Sequence, residues 1–195
     1  SIDAARQFSV GAIKEAREQA DDLLVIVSQS NPEMDDPNVT TDVYKVGTVC
    51  KIHNFNQQKG YVRIKIEPLA RVAVDQIEFD KTFYHCKGHI LEDVAGDHAS
   101  EVAIVRNIIQ ALEEPNDVHF DIPRQVLNQL SKGVSAPELA NALSNYLPIS
   151  LAQRQDLLET IDLNERLKKI LKYINDEKQI ALIDRQLDNE IRNNA

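Results

Sequence analysis

The chain has no tryptophan, one methionine, two cysteines and six glycines in 195 residues, and aromatics make up only 5% of it. None of the six glycines builds a Gly-x-x-x-x-Gly-Lys-Ser/Thr loop or a Gly-x-Gly-x-x-Gly fingerprint. The backbone N–H cradle that such loops offer to nucleotide phosphates is therefore missing, and ATP hydrolysis by this chain alone is not expected. A Gly-x-Ser-x-Gly elbow is also absent, so a serine nucleophile has no local signature. Two cysteines, Cys50 and Cys86, do not make a disulfide framework. They are expected as half-buried thiols on strands in a reducing, cytosolic compartment. The longest apolar run, residues 23–27, falls far short of the roughly 20 residues that cross a bilayer. No secretory or targeting segment is legible, and a cytoplasmic location with no membrane partner is expected. The chain opens on Ser1 inside a helical pattern, which reads as a processed or cut-out piece.

Clusters of Lys and Arg are lacking too. The net charge is −9, and an acidic surface repels phosphate backbones, so nucleic acid is a disfavoured partner. Carboxylate pairs at Asp21-Asp22, Asp35-Asp36 and Glu113-Glu114 lie in loops or at element ends, where solubility explains them better than catalysis. His85-Cys86-Lys-Gly-His89 is the one metal-like cluster. On a strand its two histidines would stand roughly 13 Å apart, too far for one zinc with ligands at about 2 Å. No metal and no cofactor is expected.

What is present is a change of period. Residues 9–20 repeat apolar side chains at helical spacing, with Ser9 as a candidate cap. Residues 23–27 read as a buried strand and 29–41 as a loop. Residues 44–55 and 61–67 flank a turn at 56–60, with Gly60 free to take a positive φ. The second arm alternates Val62, Ile64 and Ile66 against Arg63, Lys65 and Glu67, and Pro68 is expected to end it. Residues 71–74 and 79–91 supply further strand, with Tyr84, Cys86 and Ile90 on one face. From about Asp93 the pattern is helical. Residues 97–112 carry Val102, Val105, Ile109 and Leu112 on one stripe, with Ile104 and Ile108 beside it. Residues 115–122 read as a connector, Pro123 as a first helical position, and Gly133 as a helix end.

Three helix starts then follow at intervals of 15 and 12 residues, in Ser135-Ala-Pro-Glu138, Ser150-Leu-Ala-Gln153 and Asp162-Leu-Asn-Glu165. Each places a short oxygen-bearing side chain three residues before Glu or Gln, the capping-box spacing. The last helix, from about residue 162, would be roughly 45 Å long at about 1.5 Å per residue. Leu163, Leu167, Ile170 and Ile174 mark its first half. Ile180, Ile183, Leu187 and Ile191 mark the second, which needs a partner or a continuation as a coiled coil. The fold class is therefore α+β: a β-rich unit over residues 1–92, then an all-α bundle over 93–195 that ends in the long helix.

Order and spacing of these pieces resemble the N-terminal domain of the Lon proteases, ATP-dependent AAA+ proteases. The resemblance rests on Asp42-Val-Tyr-Lys-Val-Gly-Thr-Val-Cys50, the hairpin, Ile66-Glu-Pro-Leu-Ala-Arg71, residues 143–147 and 155–159, Asp162-Leu-Asn-Glu-Arg-Leu167, and Glu190-Ile-Arg192. It departs at Pro68, where the family has glycine, and at residues 1–8, where the family's first strand is missing and an exposed or remodelled sheet edge is expected. The resemblance implies a small distorted, PUA-like barrel before the helical bundle. It also implies a non-catalytic role, recognising unfolded or tagged protein substrates and supporting assembly of a homo-hexamer. ATP, Mg and a serine protease centre would belong to downstream domains of the parent chain only. Arg6, Phe8, His53 and Phe55 are the candidate contacts with substrate, on the reading that they are exposed and that His53 and Phe55 share a strand face. The rival readings are a stand-alone adaptor with no ATPase attached, an RNA-binding barrel, and an independent hydrolase, for which no nucleophile–base pair can be named.

Overall fold

A computed structural model of the chain describes residues 1–114 and 120–195. It divides into two compact units, Ser1–Glu92 and Asp93–Ala195. The first holds β1 (Ile2–Ala4), α1 (Gln7–Gln19), β2 (Leu23–Ile26), β3 (Val46–Gln58), β4 (Tyr61–Asp80) and β5 (Phe83–Leu91). All strand pairs are antiparallel, in the order β1-β4-β3-β2, with β5 on the far part of β4.

The sheet bends because β4 is 20 residues long and serves three partners. Register shifts at Val49/Cys50, Ile52/Asn54 and Val74/Gln76 add local twist, which is how a short sheet curves towards a barrel. The first of these explains why Pro68 does not end the strand. Pro68 pairs with Cys50 and Ala70 with Val49, leaving Leu69 over as the bulge residue. Proline is tolerated at a bulge because a ladder hydrogen bond is already forgone there. Lys59 and Gly60 alone form the β3–β4 turn, and Gly60 takes φ +86° as expected.

Helix α1 begins at Gln7, two residues before the expected start. Arg6 occupies the N-cap without a side-chain hydrogen bond, so Ser9 is not the cap. Ile13 and Ala16 of α1 are buried against Ile52, Val62 and Ile64, with Val10, Leu24, Phe55 and Ile66 around them. The sheet edge near residues 1–8, expected to be exposed or remodelled, is remodelled by β1. It pairs Ile2–Ala4 with residues 62–64 of β4, and Arg63 donates to both Asp3 carboxylate oxygens at 2.7 and 3.0 Å.

The second unit contains α2 (His98–Glu113), α3 (Arg124–Ser131), α4 (Ala136–Tyr146), α5 (Leu151–Glu159) and α6 (Leu163–Asn193). The connector expected over residues 115–122 lies partly outside the described residues. Pro123 is the N-cap of α3 rather than its first helical residue. Both serine capping boxes form. The third is half made: Asp162 accepts from the Glu165 N–H at 2.9 Å, while the Glu165 carboxylate pairs with Lys168 at 3.0 Å.

The core of this unit runs through Ile108, Leu139, Ala140, Leu143, Leu167, Ile170 and Ile174, all fully buried. On α2 the fully buried stripe is Ile104, Ile108 and Ala111; of the expected Val102, Val105, Ile109 and Leu112, Val105 and Leu112 pack against the core and Val102 is exposed. Two adjacent apolar stripes have the same period, and packing against α6 selects one of them. A strap joins the entry of the unit to the start of α6. Val94 N–H donates to the Ile161 carbonyl at 2.8 Å, and Leu163 N–H donates to the Val94 carbonyl at 2.9 Å. Asp93 pairs with Arg166 at 2.7 Å.

Candidate functional site

The tip of the β4–β5 hairpin gathers aromatic rings. Phe79 and Tyr84 lie directly opposite each other across the strands, and Asp80 lies opposite Phe83. Lys81, at φ +55°, and Thr82 close the turn. Directly opposed residues share a face, so the Phe79 and Tyr84 rings meet, at 4.8 Å between centroids. Phe8, in the first turn of α1, stands edge-on to Tyr84 at 5.3 Å and 85°. That approach is possible because Gly11 lies against the turn: a Cβ there would come within 2.9 Å of the Thr82 carbonyl oxygen. The outcome is a contiguous ring cluster held between a helix and a hairpin. Its outermost member, Phe79, is 56% exposed. A large apolar ring left in water is the costly observation here, because burial of such a ring is ordinarily favourable.

The other face of the same hairpin is polar. His85 contacts the Glu78 carboxylate at 3.0 Å and His89 contacts that of Asp75 at 3.0 Å. Phe83 lies 6.3 Å from the His85 ring. The histidines of the sequence's metal-like cluster thus have carboxylate partners. Among the described residues no group of three or more His, Cys, Asp or Glu side chains is placed to hold a metal. Both cysteines are free thiols. Cys50 is buried and Cys86 half-buried, and burial raises both pKa values above the ordinary thiol range, which makes them poor nucleophiles.

Of the four candidate contact residues, the structure brings one into the ring cluster: Phe8. Arg6, just before α1, donates to Gln29 Oε1 at 2.8 Å and to the Met34 carbonyl at 3.4 Å, holding the loop over residues 28–43. His53 is exposed, with Nε2 2.6 Å from Glu67 Oε2. Phe55 does not share its face. The bulge at Ile52/Asn54 takes up one residue, so Phe55 pairs with Ile64 and packs on the core, with the Arg17 guanidinium over its ring at 4.1 Å. The pairing of Phe79 with Tyr84 is not legible when residues 79–91 read as one strand. The signal lies in Phe79-Asp-Lys-Thr-Phe83-Tyr84, one aromatic before and two after a short polar turn.

A second exposed apolar surface lies on α6. Its first half is buried, whereas Ile180, Ile183, Leu187 and Ile191 are 51, 46, 51 and 68% exposed. No helix among the described residues is long and apolar enough to cross a membrane.

Comparison with known proteins gives one consistent result. The family described as the ATP-dependent protease La (LON) substrate-binding domain matches residues 1–176. The chain is 26% identical over 188 residues to Lon protease of Escherichia coli (strain K12), covering 96% of the chain and 24% of that protein. It is 29% identical over 177 residues to Lon protease of Aquifex aeolicus (strain VF5), covering 88% of the chain and 22% of that protein. It therefore spans about a quarter of the length of these relatives. Two solved structures share its fold. One is the N-terminal domain of Mycobacterium avium complex Lon protease, with TM-score 0.65 and 17% identity over 90% of this chain and 89% of that one. The other is a Lon N-terminal domain protein from Xanthomonas campestris, with TM-score 0.54 and 14% identity over 88% and 86%.

Proposed function

The chain belongs to the family of substrate-binding domains of the ATP-dependent protease La, or Lon, and on that premise we propose that it captures unfolded protein segments on the Phe8–Phe79–Tyr84 surface of its β unit. The observation that carries this reading is the 56% exposure of Phe79 beside two further rings, Tyr84 on the same hairpin and Phe8 on α1. Rings with few rotamers bind apolar segments at low entropic cost, and they tolerate different sequences because their contacts are non-directional. Capture is weak at each contact and gains strength when several segments of one unfolded chain engage.

The role is non-catalytic. Nucleotide and Mg, the serine protease centre and the AAA+ motor are assigned to the remainder of a longer parent chain, working in the cytoplasm as a homo-hexamer. Support for a part in assembly comes from α6. Its second half presents four apolar residues at heptad-like spacing that this chain does not cover. On this reading the strap at Asp93–Arg166 anchors the first half of α6, and the second half is the link to neighbouring copies or to downstream domains.

Two experiments separate these roles. A benzophenone side chain placed at position 79 is expected to photocrosslink to denatured casein, and one placed at exposed Lys59 is not. Equal crosslinking at both positions would remove the hairpin tip from the capture surface. For assembly, Leu187→Asp is expected to abolish any self-association seen by sedimentation velocity while leaving casein crosslinking at position 79 unchanged. Unchanged self-association would contradict the role given to α6.

A further inference from the structure

Beside its fully buried stripe, α2 carries a partly exposed one that lines a groove. Val102, Val105 and Ile109 form one wall, and Val134 and Ala136, at the start of α4, form the other, around a cavity of about 530 Å³. That volume falls within the roughly 300–1,000 Å³ of clefts that bury ligands. Along α2 the lining runs from Glu101 to Glu113, about 18 Å at about 1.5 Å per residue, long enough to receive about three turns of a helix. The spacing of Val102, Val105 and Ile109 suits a partner helix that presents apolar anchors at i, i+3 and i+7.

Charge decides which helix. The lining holds two carboxylates, Glu101 and Glu113, against one guanidinium, Arg106. At the last turn of α2, Lys178 donates to the Ala111 carbonyl at 2.9 Å and pairs with Glu114 at 3.1 Å. This offsets the helix end, so the acidic character of the groove rests on Glu101 and Glu113.

We propose that this groove is a second docking site, specific for an amphipathic helical segment of a polypeptide with Lys or Arg flanking its apolar face. The inference rests on the reading of the chain as a polypeptide-binding domain. It extends that reading: the hairpin takes unfolded aromatic or aliphatic segments without regard to charge, whereas the groove selects basic amphipathic ones.

The test uses the whole chain and a fluorescein-labelled helical peptide of about three turns, with leucines at i, i+3 and i+7 and lysines on both flanks. A matching peptide with glutamates in place of the lysines is the control. The lysine peptide is expected to bind at least about tenfold more tightly than the glutamate peptide, a difference that shrinks with salt. Val102→Asp and Glu113→Lys are each expected to weaken the lysine peptide about tenfold, and Phe79→Ala to leave it unchanged. Val102 is 41% exposed and Glu113 lies outside the core, so circular dichroism melts should confirm that both variants fold. Equal affinity for the two peptides, no effect of Val102→Asp, or loss of binding in Phe79→Ala would each overturn the groove assignment. Casein capture at position 79 is read separately, so that reading survives or fails independently of this one.

Discussion

Asp93→Ala is expected to destabilise the helical unit by about 3–5 kcal/mol, clearly more than Arg166→Met, although both break the same ion pair. The asymmetry follows from exposure. The Arg166 side chain is 3% exposed and that of Asp93 is 29% exposed. Arg166 places Nη2 2.7 Å from Asp93 Oδ1 and donates from Nε to the Thr160 carbonyl at 2.9 Å. Burial draws the Arg166 pKa below the ordinary guanidinium value, and the charge of Asp162 acts in the other direction. Removing Asp93 leaves a buried guanidinium with one carbonyl acceptor and no pair at Asp93. Removing Arg166 leaves a carboxylate that water can already reach, and methionine keeps much of the side-chain volume. About 1–2 kcal/mol is expected for Arg166→Met. Urea unfolding followed at 222 nm reads both values. Equal losses would mean that the pair is solvated in a way its burial does not suggest.

Leu167→Ala is expected to cost about 2–5 kcal/mol, and Leu187→Ala less than about 0.5 kcal/mol in the dilute chain. The two leucines lie on one helix and carry the same side chain. Leu167 is fully buried among Leu139, Leu143 and Ile170, while Leu187 is 51% exposed. Truncating the first loses transfer energy and opens a cavity in a close-packed core. Truncating the second loses contacts only if another molecule supplies them. At concentrations where the chain self-associates, the Leu187→Ala loss should grow, because association stabilises the folded state by mass action. That concentration dependence distinguishes a packing helix from a linking one.

The α6 helix was the most legible part of the sequence. Asp162 and Glu165 marked its start, the apolar spacing marked its face, and its length of roughly 45 Å marked that the second half needs a partner. The hairpin of β3 and β4 was legible from the alternation of Val62, Ile64 and Ile66. What could not be read came from tertiary choices and from irregular backbone. The three bulges shift register by one residue each, and one of them moved Phe55 from the face of His53 to the face of Ile52. Tyr84, Cys86 and Ile90 were expected on one face, but Tyr84 and Cys86 are half-buried while Ile90 is 53% exposed. Periodicity alone could not choose between the two stripes of α2. The candidate contact surface was half visible, through Phe8. Its centre at Phe79 depended on a turn at Lys81, and no glycine or proline punctuates that turn.

The central claim is that the exposed ring cluster, rather than the sheet face around His53, grips unfolded protein. Its most direct measurement is the affinity of fluorescently labelled, reduced and carboxymethylated α-lactalbumin for the chain and for Phe79→Ala, Phe8→Ala and His53→Ala. The prediction is at least about tenfold weaker binding for Phe79→Ala, a smaller loss for Phe8→Ala, and no change for His53→Ala. Wild-type affinity in Phe79→Ala, or a loss confined to His53→Ala, would contradict it.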